Sequence, residues 1–241
     1  AYGADMNKYL DSGNEARIKK AYESRDPRLQ MAVITPYAQY NGASSGIAHT
    51  YTLRWPYRGS DSAEPFDIRT DTNDKFYYLW RKFVPEGLEQ TERDTYGLDI
   101  PLIRYAEVLL LKAEALNEWG STHESEAIRC VNEVRRRAGH VELNNATYPA
   151  TKVNGQSDLR ERIRNEYYWE IGGEDSMYFH ELRWGTWKDK KFDNNRNGLM
   201  QMWGETTYTW YWLGDQCWSW PIPAKEMEMN SNLEQNEGWI N

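Results

Sequence analysis

Apolar residues recur at steps of three and four through Leu102, Ala106, Leu109, Ala113 and Leu116, which is the period of an amphipathic helix. Asp99-Ile100-Pro101 supplies a start signal and Gly120 a stop, so the spacing predicts a helix between them. Ser121-Thr122-His123-Glu124 then reads as a capping box, and Ala127, Val131, Val134 and Ala138 carry a second stripe to Gly139. The two predict an antiparallel helical hairpin, in which the small residues Ala106, Ala113 and Ala127 permit close approach. A third helix is expected from Ser157 through Leu159, Ile163 and Tyr167 to Ile171, stopped by Gly172-Gly173, and a fourth from Glu174 to Trp184, closed by Gly185.

The remaining pattern is weaker. A short helix is expected at Glu15 to Tyr22, and Met31-Ala32-Val33-Ile34 reads as a short strand. From Tyr40 to Asp74 the chain is rich in Gly, Ser, Pro and Asp without a sustained period, which predicts a long irregular loop. The tail from Lys188 to Asn241 is loop-like and aromatic, with alternation at Tyr208 to Leu213 that fits a strand. A lone helix pair cannot bury its own faces, so tetratricopeptide-like pairing with further helices is expected.

Length sets a default of one domain over 1–241. No apolar run is long enough to cross a bilayer, and no signal peptide is visible at Ala1-Tyr2-Gly3-Ala4-Asp5. The net charge is -8, and Arg135-Arg136-Arg137 lies among acidic neighbours, so nucleic acid is excluded as a partner. Cys130 and Cys217 read as two unpaired thiols.

Catalytic patterns are missing from the sequence. Glu166, Glu170 and Glu174 lie at steps of four along one helix face, whereas glycoside hydrolysis needs two carboxyl groups on opposite sides of a bond. They read as a salt-bridged face partnered by arginines such as Arg160 and Arg164. His49, His123, His140 and His180 show no metal-ligand spacing, and no cofactor motif occurs. Asp193-Asn194-Asn195-Arg196-Asn197-Gly198 matches the first half of a calcium loop, but its twelfth position is Gly204, so Asp193, Asn195 and Asn197 more simply make a turn.

Twelve Trp and seventeen Tyr against five Phe change the picture, because these rings join a flat apolar face to a polar edge and suit half-exposed binding surfaces. Tyr51, Trp55 and Tyr57 alternate, so an extended segment would project them to one side as a stacking platform for sugar rings. Arg54 and Arg58 flank it as hydroxyl-binding donors. Tyr40, Trp210 and Trp212 complete the candidate glycan-binding set.

A family resemblance joins these observations. Ser24-Arg25-Asp26-Pro27-Arg28-Leu29, Arg81-Lys82-Phe83, Ile103 to Leu110 with Ala113 to Asn117, Val134-Arg135 with Arg137-Ala138-Gly139, Arg183-Trp184-Gly185, Pro221-Ile222-Pro223, and Asn230 with Gln235-Asn236 and Gly238-Trp239 occur in order. The set resembles the C-terminal half of SusD/RagB proteins of Bacteroidetes-type bacteria. The resemblance implies an all-α scaffold of tetratricopeptide-like pairs with long loops, corresponding to the family's C-terminal domain. It implies a non-enzymatic role: glycan binding as a lipid-anchored lipoprotein on the outer-membrane surface, beside a TonB-dependent, SusC-like transporter that takes up the nutrient. A module that docks the transporter while the other half binds ligand is the alternative, and a helical hydrolase a weaker one. Two family arginines are replaced by Tyr167 and Met177 and an aspartate by His180, so a rearranged internal charge network is expected.

Overall fold

The computed structural model describes residues 22–23, 25–44, 46–57, 67–71, 79–88, 97, 99–174, 176–192 and 212–239, with only the backbone described at 44, 54–57, 67–71 and 190–191. The chain divides into two compact units, the first over 7–177 and the second over 178–241. Among the described residues no helix is long and apolar enough to cross a membrane.

The first unit opens with α1 (Pro27–Ala32), capped by the Asp26 carboxylate, which accepts from the Arg28 amide at 2.9 Å. Strands β1 (Val33–Ile34), β2 (Gln39–Ser44), β3 (Ile47–Tyr57), β4 (Asp67–Asp71) and β5 (Leu79–Trp80) follow. The stretch from Tyr40 to Asp74 is therefore largely sheet and not the expected irregular loop. Of the predicted strand at 31–34, only Val33 and Ile34 are extended. β2 and β3 pair antiparallel with Tyr40 opposite Tyr51, and β3 pairs parallel with β4 through a register irregularity between Arg54 and Tyr57. β1 pairs antiparallel with β5. Ile34, Tyr40 and Leu53 form a core between these strands, with Ala38, Tyr51 and Leu79 packed on it.

The scaffold is mainly helical, as the periodicity implies. Helices α2 (Tyr105–Trp119), α3 (Glu124–Arg137) and α4 (Gln156–Ile171) form its centre, and α2 packs against both others. Leu109, Ala113 and Leu116 are buried on α2, as are Ala127, Val131 and Val134 on α3 and Leu159, Ile163 and Tyr167 on α4. Two details differ from expectation. α2 starts at Tyr105 behind Arg104, not near Asp99, and leaves Leu102 exposed; Ala106 is only half-buried. The turn at Ser121–His123 is a short 3-10 helix with no side-chain cap, so the capping box does not form. Reciprocal bonds lock the hairpin to α4, since Gln156 Nε2 donates to Asn117 O at 2.7 Å and Asn117 Nδ2 to Gln156 O at 3.2 Å.

α4 ends at Gly172-Gly173. Gly173 has φ +82°, and a Cβ there would sit 2.7 Å from the Trp80 ring, so turn and close approach both require glycine.

The second unit holds most of α5 (Ser176–Arg183), then α6 (Trp187–Lys191) and α7 (Ala224–Met229). The Gln235 side chain bridges the amide and carbonyl of Ile222 at 2.7 and 2.9 Å, Asn236 Nδ2 donates to Trp220 O, and the Trp239 indole donates to Gln216 O and Ser219 O. Side chains thus supply the hydrogen bonds that a tail with little regular structure lacks. Cys130 and Cys217 are both free thiols.

Candidate functional site

The motifs that carry the family resemblance in the first unit meet in space. Their shared focus is the face of α4 that carries Glu166, Glu170 and Glu174. Glu166 is fully buried and pairs with Arg28 at 2.8 Å and Arg135 at 2.7 Å. Glu170 accepts from Arg28 at 3.1 Å and Arg104 at 2.9 Å and also pairs with Arg137. Glu174 takes Arg104 at 2.9 and 2.7 Å and pairs with Lys82. The expected partners Arg160 and Arg164 lie elsewhere, on Glu118 and Glu161. The reason is local: each of those arginines has a nearer acid on the exposed side of α4 or its neighbour.

Position explains why the chain sends cations here from four distant segments. The carbonyls at the end of α4 have no partners within the helix and carry its negative dipole end. Lys82 Nζ donates to Glu170 O at 2.9 Å and Gly172 O at 3.3 Å, and Arg104 Nη2 to Glu170 O at 3.0 Å. The network is therefore both a salt-bridge cluster and a helix cap. Tyr167 and Met177 are both buried. The other departure, His180, lies in the second unit, where Arg183 Nε donates to its Nδ1 at 3.0 Å and its ring stacks on Trp184.

Protonation follows from these contacts. Burial would push the Glu170 carboxyl up, but hydrogen bonds from Arg104 and Arg28 outweigh it and hold the group below the usual carboxylate range. Asp26 behaves alike, with burial outweighed by its bonds from Arg28. Hydrogen bonds that the Arg104 guanidinium donates to Glu174 hold it above its ordinary value, so it stays charged. Burial pushes His140 down, against the opposing pull of Asp26 at 3.6 Å.

Two recesses adjoin the network. An open cleft of about 840 Å³ runs beside Arg25, Gln30, Arg81 and Glu86, and a smaller recess of about 250 Å³ lies over Arg104, Arg137 and Glu170. Both are lined by Met31, Lys82 and Phe83. Phe83 holds φ +61°, a left-handed conformation costly for a bulky residue. The sequence pattern gives no signal for either recess, because their walls come from segments well separated along the chain, residues 23–32 and 81–86 in both, with Arg104, Arg137, Trp169 and Glu170 added in the smaller.

The residues expected to hold glycan are placed as follows. Tyr40 is corrected: it is only 4% exposed, and its hydroxyl donates to Pro85 O at 2.8 Å, so it is a core residue with no face for a ligand. Tyr51 is half-buried on β3, packed against the Ile34–Leu53 core. Arg54, Trp55 and Tyr57 lie on β3 with the backbone described, which brings them into one extended strand. Arg58, Trp210 and the calcium-loop residues Asp193, Asn195 and Asn197 lie outside the described residues, as do the expected helix at 15–22, apart from Tyr22, and most of the strand at 208–213. Trp212 is half-buried, set edge-on to Phe192 and Trp218. Among the described residues no His, Cys, Asp and Glu gather as a metal site.

Comparison with known proteins agrees with this geometry. The SusD-like protein P38 of Formosa agariphila is 32% identical over 139 residues, covering 57% of this chain and 24% of that protein. The starch-binding protein SusD of Bacteroides thetaiotaomicron is 28% identical over 161 residues, covering 66% and 25%. The matched stretch thus spans about a quarter of the length of either relative. Among solved structures, a SusD-like protein from Bacteroides fragilis superposes with a TM-score of 0.60 at 23% identity over 90% of this chain and 39% of that one. A SusD homologue from Bacteroides thetaiotaomicron gives 0.52 at 21%, over 89% and 41%. The SusD family model matches residues 5–239, and the chain belongs to that family.

Proposed function

We propose that the protein is a non-catalytic glycan-binding component of a bacterial outer-membrane surface, which presents captured oligosaccharide to a TonB-dependent, SusC-like transporter. The observation that supports it most is the family match over residues 5–239, together with the convergence of the family's motifs on one charge network. The hydrolase alternative is disfavoured by that network, since Glu166, Glu170 and Glu174 are each held by two or more cations and none faces another carboxylate across an open gap. We read 1–241 as a single family domain in which α2 and α3 form a tetratricopeptide-like pair.

The glycan surface is assigned to β3, with Tyr51, Trp55 and Tyr57 as the stacking positions and Arg54 and Arg58 beside them. Isothermal titration against a glycan panel tests this. Trp55→Ala is expected to weaken binding by about 1–3 kcal/mol, the range for losing one aromatic stacking contact, with the melting temperature nearly unchanged. Strong destabilisation with unchanged affinity would remove β3 from the site. A reducing-sugar assay is expected to detect no product.

One observation favours a second reading, that this region docks the transporter while ligand binds elsewhere in a longer protein. Leu102 is 89% exposed, and Ile100, Ile103, Tyr105 and Val108 beside it are exposed too, a run of apolar surface at the start of α2. Capture of the transporter, lost in Leu102→Asp, with no binding across the glycan panel, would favour this reading over the first.

A further inference from the structure

The smaller recess beside the charge network has the chemistry of a sugar subsite, and its charge is not neutral. Five cations, Arg28, Lys82, Arg104, Arg135 and Arg137, face four carboxylates, those of Asp26, Glu166, Glu170 and Glu174, within this set of ion pairs. Among the described residues this set carries one more positive charge than negative, in a chain whose net charge is -8.

The excess falls on a particular group. Lys82 and Arg104 each spend their donors on three carbonyl or carboxylate partners at the end of α4, and Arg28 is enclosed between Asp26, Glu166 and Glu170. Arg137 differs. Its ion pair engages one terminal nitrogen, and its side chain is 58% exposed at the rim of the recess. A guanidinium presents a planar fork suited to two oxygens of one anion.

Opposite the charge stands apolar surface. Trp169, 44% exposed, lines the recess with Phe83 and Met31. The indole is held in place, with the Arg135 guanidinium 5.6 Å from its ring centre and the His140 ring edge-on at 5.6 Å. A fixed aromatic face costs little ordering when a pyranose stacks on it. The volume of about 250 Å³ lies just below the roughly 300–1,000 Å³ of drug-sized sites, which suits one sugar residue.

The geometry points to a subsite for a monoanionic sugar residue, a uronate or a sulfate ester, stacked on Trp169 with its oxyanion on Arg137. The inference rests on the glycan-binding reading and deepens it, adding a site apart from β3 that selects for acid. Neither Trp169 nor Arg137 belongs to the aromatic surface expected from sequence.

The test is titration of wild-type protein with digalacturonate, monosulfated galactobiose and unmodified galactobiose, at low and high salt. Wild type is expected to bind at least one acidic disaccharide roughly ten- to a hundredfold more tightly than the neutral one, the span of one charge-assisted hydrogen-bond pair, and high salt to shrink that preference. Tightening for the uronate alone identifies a carboxylate site, and tightening for both acids a general oxyanion site. R137Q is expected to abolish the preference while the folded variant still binds the neutral disaccharide, its melting temperature reporting separately on the lost Glu170 pair; R137K should keep part of the preference as a point charge. Equal affinity of wild type for acidic and neutral sugars overturns the subsite and leaves the β3 reading standing if W55A still weakens binding. A preference that survives in folded R137Q overturns it as well, and no binding by any of the three overturns it together with the glycan reading. Should R137Q fail to fold, the wild-type preference and its salt dependence decide.

Discussion

Within the first unit, the helices over 105–171 and the strands over 33–80 are held by different means. Each helix buries a stripe set by its own local period; a short turn returns α3 onto α2, and the connection over 138–155 brings α4 beside them. Two of the strand pairings bring partners that no local pattern names: β1 pairs with β5 from more than forty residues away, and β3 takes β4 as a parallel neighbour across nine residues. Between the two lies the charge network, where Arg28 and Lys82 from the strand side and Arg104, Arg135 and Arg137 from the helix side converge on α4. Local pattern builds the helices, and buried charge joins the strands to them.

The largest effect should come from breaking that join. Glu166→Gln leaves Arg28 and Arg135 buried without their shared carboxylate, and loss of one partner of a buried pair costs about 3–5 kcal/mol. Glu118→Gln, which removes the exposed partner of Arg160, should cost less than about 1 kcal/mol. Urea unfolding of both variants checks the contrast; equal losses would mean that the network is no more than surface electrostatics.

The same network sets an acid limit. Glu170 and Asp26 hold depressed carboxyls in the folded state, so they release protons more readily folded than unfolded. Their contribution is complete above the ordinary carboxylate range and is lost as pH falls through the lower folded values, from about pH 5 downward. Thermal unfolding across that range should show stability dropping, with a flatter slope in Glu170→Gln. An unchanged slope would place the acid sensitivity elsewhere.

A smaller effect tests the helical side alone. Ala113 is fully buried where α2 meets its neighbours, so Ala113→Leu should cost about 1–3 kcal/mol through overpacking. Ala106→Leu, at a half-buried position, should cost much less. The sequence period placed both residues on one stripe, because it also placed the start of α2 near Asp99. The start is later for a reason outside the local pattern: Arg104 stays extended as its guanidinium reaches Glu170 and Glu174, some seventy residues on.

How much was legible follows the same division. The stops at Gly120, Gly139 and Gly172, the buried stripes of α2, α3 and α4 and the helical class were readable, since period and glycine placement act locally. The acids of α4 were recognised as a paired face, but their partners were not, because ion pairs across a hundred residues leave no spacing. The recess that Trp169 lines was invisible for the same reason. The sheet was missed because Gly42, Pro56 and scattered polar residues disguise the β2–β3 hairpin, and because β1 finds its partner β5 far along the chain.

Tyr40 shows what that concealment cost, and it supplies the smallest test. Read from sequence, it was an aromatic residue in a glycine-rich loop and so a candidate for stacking on sugar. In the fold it lies in the strand core, opposite Tyr51 across the β2–β3 ladder, with its hydroxyl donating to Pro85 O at 2.8 Å. That bond ties β2 to the segment after β5, which has no strand of its own to pair with it. Tyr40→Phe keeps the ring and its packing but leaves the Pro85 carbonyl short of a donor, so stability should fall by about 0.5–1.5 kcal/mol, the net worth of one hydrogen bond, with glycan affinity unchanged. The opposite outcome, weaker glycan binding at constant melting temperature, would mean that the hydroxyl serves a ligand. The strand core would then have to open in solution, and Tyr40 would return to the binding surface beside Tyr51 and Trp55.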